Sequence, residues 1–546
     1  VRLIKIALIF LALVLILSSC LPFQPSPPQQ PERLAMRVLE EIDLSELNQV
    51  EDLLRKKSVY RKNLEDKVKV CQSVFEFFFI YLNVPLDEIP DWAIEEKEKA
   101  IQQALGKNRP IDYSFMNRIL ERLIKEEDFS YLNSPEEKFR ILKNTIRGFL
   151  NAIGDPFADY ADPVEVKLGI TEITRGRYEG IGVQLSLEKG KFVIGAVFDG
   201  SPAKKAGLQV GDKILLIDGK DLTGATVRDI VIYIRNKKDP TIALTIERDS
   251  QRFEVVLKRS TIKQNFIASY PFVELPNDRG STKKRLPYNF PLKDREGNLI
   301  KKVAYLKIFE FSVQAVKDLY YVLNRIDWDK YQGLIIDLRE NHGGYIYTTV
   351  AALSYFLRGG ETALIVQDHQ GRRESIYIPH RSTTLYPERE EFRVEVHPQL
   401  VPMDLPIVIL VGSKTFSGAE VFSACLRDWQ RAVLIGKERT AGKGTVNRWF
   451  LLRDGKYGAL YIGVNLWLTP TGEFLEPLRK EEKGGLLPDP LVEWTEKDYF
   501  LNGQDPNWDP EIFAALDWLK IYFKEESKDS SFSKGAKIFC LFRKAP

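Results

Sequence analysis

The alternation of apolar and polar positions changes character several times along the chain. Ile6 to Leu17 is an unbroken apolar run behind Arg2 and Lys5. It falls short of the ~20 residues a membrane-crossing helix needs, which predicts a signal peptide over 1–19. A Pro-rich stretch, 20–31, follows and reads as an extended tether. Over 32–147 apolar residues such as Leu120, Leu123, Phe139 and Leu142 recur at helical spacing, predicting amphipathic helices suited to capping a body or pairing with a second copy. Gly154 to Pro163 is dense in Asp and Pro and ends that pattern. Residues 178–258 read as short strands with one helix at Thr226 to Arg235. Beyond Lys258 strands expected at Val303–Ile308, Leu334–Leu338, Ile407–Val411 and Ala432–Ile435 alternate with helices near Val313–Arg325, Thr348–Leu357 and Ala419–Trp429. That rhythm predicts an α/β body with parallel strands. The body would be assembled from 148–177 and 259–500, with the β-rich 178–258 inserted and a helix plus tail over 501–546.

Composition narrows the classes. Forty-four per cent hydrophobic and 28% charged residues are ordinary for globular domains. Seventy-nine Lys and Arg against 76 Asp and Glu leave +3, so no basic surface for nucleic acid is indicated. The four Cys have no C-x-x-C spacing and the four His no H-E-x-x-H arrangement, so no metal site and no cofactor is called for. Cys20 is different. Leu17-Ser18-Ser19-Cys20 resembles a bacterial lipoprotein cleavage box, which implies a lipidated Cys20 as mature N-terminus and a body anchored to a membrane outside the cytoplasm, in the periplasm or at the cell surface.

Within 178–258, Gly180-Ile181-Gly182-Val183 opens an apolar strand, and Ala206-Gly207-Leu208 leads into Gly211-Asp212-Lys213-Ile214 and Ile217-Asp218-Gly219. These residues resemble a PDZ domain. The resemblance implies that backbone N–H groups at Gly180, Ile181, Gly182 and Val183 hold a peptide's terminal carboxylate while the strand edge pairs with the peptide.

In an α/β sheet the segments leaving parallel strands meet at one edge. Three such exits are Arg339 to Gly344, Ser413 to Glu420 and Thr440 to Thr445. They would bring together Ser417 ahead of a helix, Lys443 between two glycines, and a Gly-Gly turn. A serine attacks a carbonyl only when a base takes its proton, and a neutral lysine can be that base. The helix start favours negative charge at Ser417, and the N–H groups of Gly343 and Gly418 are the expected oxyanion donors.

Together, G-D-P-F-x-x-Y-x-D-P from Gly154, D-L-R-x-N-x-G-G over 337–344, S-x-A-E at Ser417, G-K-G-T at Gly442 and GLLPDP at Gly485 are similar to the carboxy-terminal processing, or tail-specific, serine proteases. The resemblance implies a crotonase-like body, a Ser417–Lys443 dyad, and substrates that are proteins or peptides with free, apolar C-termini. The chain departs from the pattern at three places. Asn447 stands where the family has a Gln that orients the lysine, His342 replaces a Pro, and Gly418-Ala419 follows Ser417 in place of Ala-Ser. The N-terminal helices are the candidate contact for a homo-oligomer. A phosphate loop at Gly436 to Lys443 fails on spacing, and a Ser-His-Asp site using His342 lacks the G-x-S-x-G elbow. The non-enzymatic alternative is a lipid-anchored PDZ scaffold with an inactive protease fold.

Overall fold

The computed structural model describes residues 43–526 apart from 164–165, 167–176, 189–190, 198–200, 223–224, 226, 264–266, 272–291, 389–391, 477–483 and 506–507. The expected signal peptide and tether, Cys20, and residues beyond 526 lie outside the described residues. Among those described, no helix is long and apolar enough to cross a membrane. The chain divides into two units, one of 1–171, 364–376 and 444–476, the other of 172–363, 377–443 and 477–546.

Among the described residues of the first unit, helices Leu47–Lys57, Lys67–Tyr81, Asp91–Gly106, Phe115–Leu123 and Pro135–Ile153 pack around Phe75, Phe78, Phe115 and Phe149. The last helix shows local rules at both ends. Ser134 Oγ accepts the Glu137 N–H, Pro135 supplies a first residue that needs no N–H partner, and Gly154 ends the helix at φ 67°. The helices share their core with Tyr160, Leu460 and Ile462 of an antiparallel sheet. In that sheet Asp159–Ala161 pairs with Ala459–Leu468, which also pairs with Thr445–Leu451 and Thr362–Gln367. Arg373–Tyr377 adds the outer strand.

The second unit holds the expected α/β sheet. Val303–Ile308, Gly333–Asp337, Ile407–Leu410 and Val433–Ile435 run parallel in that order, with Ile267–Tyr270 antiparallel at one edge. Helices Val313–Leu323, Ile346–Ser354 and Gly418–Asp428 connect them. The central strands read as continuous apolar runs because both faces are covered. Arg339, just past a central strand, bonds Asp337 at 2.8 Å, Asp509 at 2.8 Å and Glu511 at 3.0 Å. It thereby ties the Pro510–Glu526 helix to the sheet. Burial pushes the Asp337 carboxyl up, but the Arg339 guanidinium outweighs burial and holds it well below the usual carboxylate range.

In the inserted module's sheet Val183–Glu188, Lys191–Val197, Lys213–Ile217, Thr241–Arg248 and Gln251–Lys258 lie side by side in that order around Ile194, Ile214, Leu244 and Ile246, and short Lys220–Asp221 also pairs with Lys213–Ile217. Arg248 clamps Asp212 through two bonds of 2.6 and 2.7 Å. Arg177–Gly180 pairs antiparallel with Ser260–Lys263, so the chain enters and leaves the module side by side.

Candidate active site

The three expected strand exits, the last of them as far as Lys443, lie in the second unit, and hydrogen bonds knit them together. The Ile407–Leu410 strand leads through a tight turn into the buried Gly418–Asp428 helix. Thr415 fastens this turn, its hydroxyl donating to Leu338 O at 2.8 Å while the Phe416 N–H donates to Asn341 O at 3.0 Å. Ser417, half-buried, sits at the helix start with φ 56° and ψ −119°. That backbone is unusual for a residue with a side chain, and it marks the strained strand-to-helix turn on which hydrolases present a nucleophile. The G-x-S-x-G pattern is absent because the room beside Ser417 comes from another segment. A Cβ at Gly343 would lie 2.5 Å from Phe416 O and 2.9 Å from Ser417 Cβ, and one at Gly344 would lie 2.2 Å from Phe311 O.

Lys443 is 4% exposed, with Nζ 5.1 Å from the centre of the Phe416 ring, the residue before Ser417. Its turn is held by glycine packing. Gly442 has φ 83°, and a Cβ there would lie 2.8 Å from Gly485 N. The Gly485 segment is fixed by the Leu486 N–H donating to Thr440 Oγ1 at 2.7 Å and the Thr440 N–H donating to Leu486 O at 3.1 Å. The GLLPDP stretch then continues along the last strand, where the Asp489 N–H donates to Leu434 O.

Glu420, fully buried, joins the serine and lysine turns. Its Oε2 accepts the N–H groups of Ser417 and Lys443, each at 2.9 Å. Its Oε1 accepts the Gly442 N–H at 2.7 Å and the Thr440 hydroxyl at 2.6 Å. Burial pushes the Glu420 carboxyl above its ordinary range, and these donors, led by Thr440, pull against that. In the sequence Glu420 shows only as the last residue of S-x-A-E, since its partners on the lysine turn lie 20 to 23 residues downstream and no short pattern links them.

Two expected roles meet a different local geometry. The Gly343 N–H, expected to face the oxyanion, donates to Asn341 Oδ1 at 2.7 Å. Asn reaches naturally to the N–H two residues on, so the N-x-G spacing itself favours this turn. Gly418 begins its helix, where the helix supplies no acceptor for the N–H. Asn447 belongs to the first unit, with its carboxamide engaged at both ends: Oδ1 accepts from Thr445 Oγ1 at 3.0 Å and Nδ2 donates to Phe157 O at 3.4 Å. Its neighbour in the chain, Gly444, donates its N–H to Glu476 Oε2 at 3.1 Å, and Glu476 also accepts the Tyr60 hydroxyl.

The module's candidate groove has an open edge. Val183–Glu188 is the terminal strand of its sheet, the position at which an extended peptide can add as a further strand. Gly180, Ile181 and Gly182 are buried just ahead of it, Gly182 with φ 81°, and Ser201 Oγ donates to Gly182 O at 3.3 Å. Helix Val227–Asn236 supplies Val227 and Tyr233 to the same apolar core as Val183 and Leu185.

Residues 302–490 match the model of Peptidase family S41, and residues 171–247 match that of the PDZ domain. The carboxy-terminal-processing protease of Bartonella bacilliformis is 26% identical over 66% of this chain and 72% of its own length. The carboxy-terminal processing protease CtpA of Bacillus subtilis is 26% identical over 73% of this chain and 74% of its own. Among solved structures, the photosystem II D1 C-terminal processing protease is 20% identical, with TM-score 0.39 over 68% of this chain and 89% of that one. With a stretch matching Peptidase family S41 preceded by one matching the PDZ domain, the chain is similar to the carboxy-terminal processing serine proteases.

Proposed function

We propose that Ser417 is the nucleophile and Lys443 the general base of an endopeptidase whose substrates are held by their free, apolar C-termini in the PDZ groove. The Ser417 hydroxyl proton passes to the neutral Lys443 amine as Oγ bonds to the scissile carbonyl carbon. Lys443 then returns that proton to the departing amine, leaving an acyl-enzyme that water hydrolyses by the same relay. The Gly418 N–H receives the oxyanion together with Gly343, whose N–H exchanges Asn341 Oδ1 for the developing charge. The single observation that carries this reading is the Glu420 bridge. It links a strained, half-buried serine to the turn of a buried lysine whose amine lies against Phe416.

The test is a serine-reactive probe and an unstructured substrate with an apolar C-terminus. Ser417→Ala and Lys443→Ala should each lower kcat by about 10⁴-fold or more while peptide binding persists. Equal probe labelling of Ser417→Ala would sink the assignment. A wild-type protein that binds such peptides without turnover at any pH would favour the scaffold reading. Lipid anchoring at Cys20, and with it an extracytoplasmic place of action, belongs to the same proposal. Mass spectrometry of the mature N-terminus tests it.

A further inference from the structure

Glu420 takes no part in the steps just proposed, yet its carboxylate is filled from three directions. An ordinary capping residue at this helix position would reach back to one N–H, that of the residue before the helix. Glu420 does this with Ser417 and then accepts three further donors from 440–443, which belong to the lysine turn. Through Thr440 the connection runs on to Leu486. The slot is acceptor-only. Each carboxylate oxygen faces two donors, one of them always a backbone N–H, so an amide in place of the carboxylate turns an NH₂ toward an N–H at whichever end it occupies. The Ser417 backbone, at φ 56°, also needs such an anchor, because a conformation costing ~1–3 kcal/mol persists only where its surroundings over-determine it.

We propose that Glu420 is a positioning residue that sets the separation of Ser417 and Lys443, so that its bridge governs proton transfer and leaves substrate binding untouched. The inference rests on the Ser417–Lys443 reading above. Glu420→Gln keeps the side-chain volume and mispairs one end of the bridge. A misplacement on the scale of 1 Å costs roughly 100-fold in rate, so kcat should fall by about that factor with KM unchanged within a few-fold. Labelling by the serine-reactive probe should slow in parallel. Thr440→Val removes one donor to Glu420 together with the acceptor of the Leu486 N–H, and should give a smaller loss, about 10-fold, again in kcat alone.

Thermal melts of both variants separate positioning from folding. If Glu420→Gln fails to fold, Thr440→Val decides. A folded variant of either kind with wild-type kcat overturns the inference, as does a loss carried by KM. Failure of the dyad itself reads differently: Ser417→Ala or Lys443→Ala would then retain activity, whereas dead dyad variants beside fully active Glu420→Gln and Thr440→Val would refute only the bridge.

Discussion

Gly343 shows how much of the site is backbone geometry. Its φ of 91° already excludes most side chains, and an added Cβ would press on Phe416 O at 2.5 Å and Gly418 N at 2.7 Å, atoms of a turn with no slack. Gly343→Ala must therefore move the segment that carries Ser417. We expect kcat/KM to fall at least ~100-fold, with a stability cost of about 1–3 kcal/mol, checked by steady-state kinetics beside a thermal melt. A methyl tolerated with full activity would show that the Ser417 turn is looser than its contacts imply. Motif order alone singles out Ser417, Lys443 and Gly343 as candidates. It does not reveal the strained turn, because the glycines that make room for it lie 70-odd residues upstream, across the sheet. The bridging role of Glu420 stayed hidden because its partners on the lysine turn lie more than one helix length downstream, and Asn447 was assigned by analogy of position. Its short amide bonds Thr445 and Phe157, partners set by the folding of the Asp155-Pro156-Phe157 turn beside its strand.

At the scale of elements, continuous apolar runs and capped helices were read close to their final limits. The Val303–Ile308 strand matches end for end, and the Gly418–Asp428 helix is displaced by one residue from its expected bounds. The antiparallel sheet of the first unit was only partly legible. Asp159–Ala161 is three residues long and finds its partner near position 460, and no local period encodes a pairing across that separation. Helix crossing is another property that periodicity does not carry. A Cβ on Gly148 would lie 2.7 Å from Val74 Cα, so helices Lys67–Tyr81 and Pro135–Ile153 approach backbone to backbone there, with Ser73 Oγ donating to Gly148 O at 2.9 Å. Gly148→Ala should cost about 1–3 kcal/mol through overpacking. Gly106→Ala, at a helix end with nothing within 4 Å, should be neutral or stabilising by up to about 1 kcal/mol. Calorimetric melts of the pair check the contrast. Equal effects would mean that the crossing relaxes freely.

For the molecule as a whole, the side-by-side entry and exit of the PDZ module decide how separable recognition and cleavage are. Gly180 and Ser260 are direct partners across an antiparallel ladder, so a two-residue turn closes the gap left by residues 181–259. Replacing that segment with Asn-Gly removes the edge strand Val183–Glu188 and the loop ahead of it, and leaves the parallel sheet, the Glu420 bridge and Arg339 with its carboxylates in place. If the groove selects substrates by their terminal carboxylate, the shortened protein should cleave an unstructured peptide lacking an apolar tail within about 3-fold of the wild-type rate. It should also lose at least ~10-fold in kcat/KM on the tailed peptide, as one lost charge-assisted contact and a lost strand pairing imply. Amidating the tail of that peptide should impose the same penalty on the intact protein and none on the shortened one. Agreement of the two experiments would place selectivity in the carboxylate loop. A shortened protein that melts cooperatively yet cleaves neither peptide would show instead that the module is needed to assemble the Ser417–Lys443 site, and would overturn the division of labour proposed here.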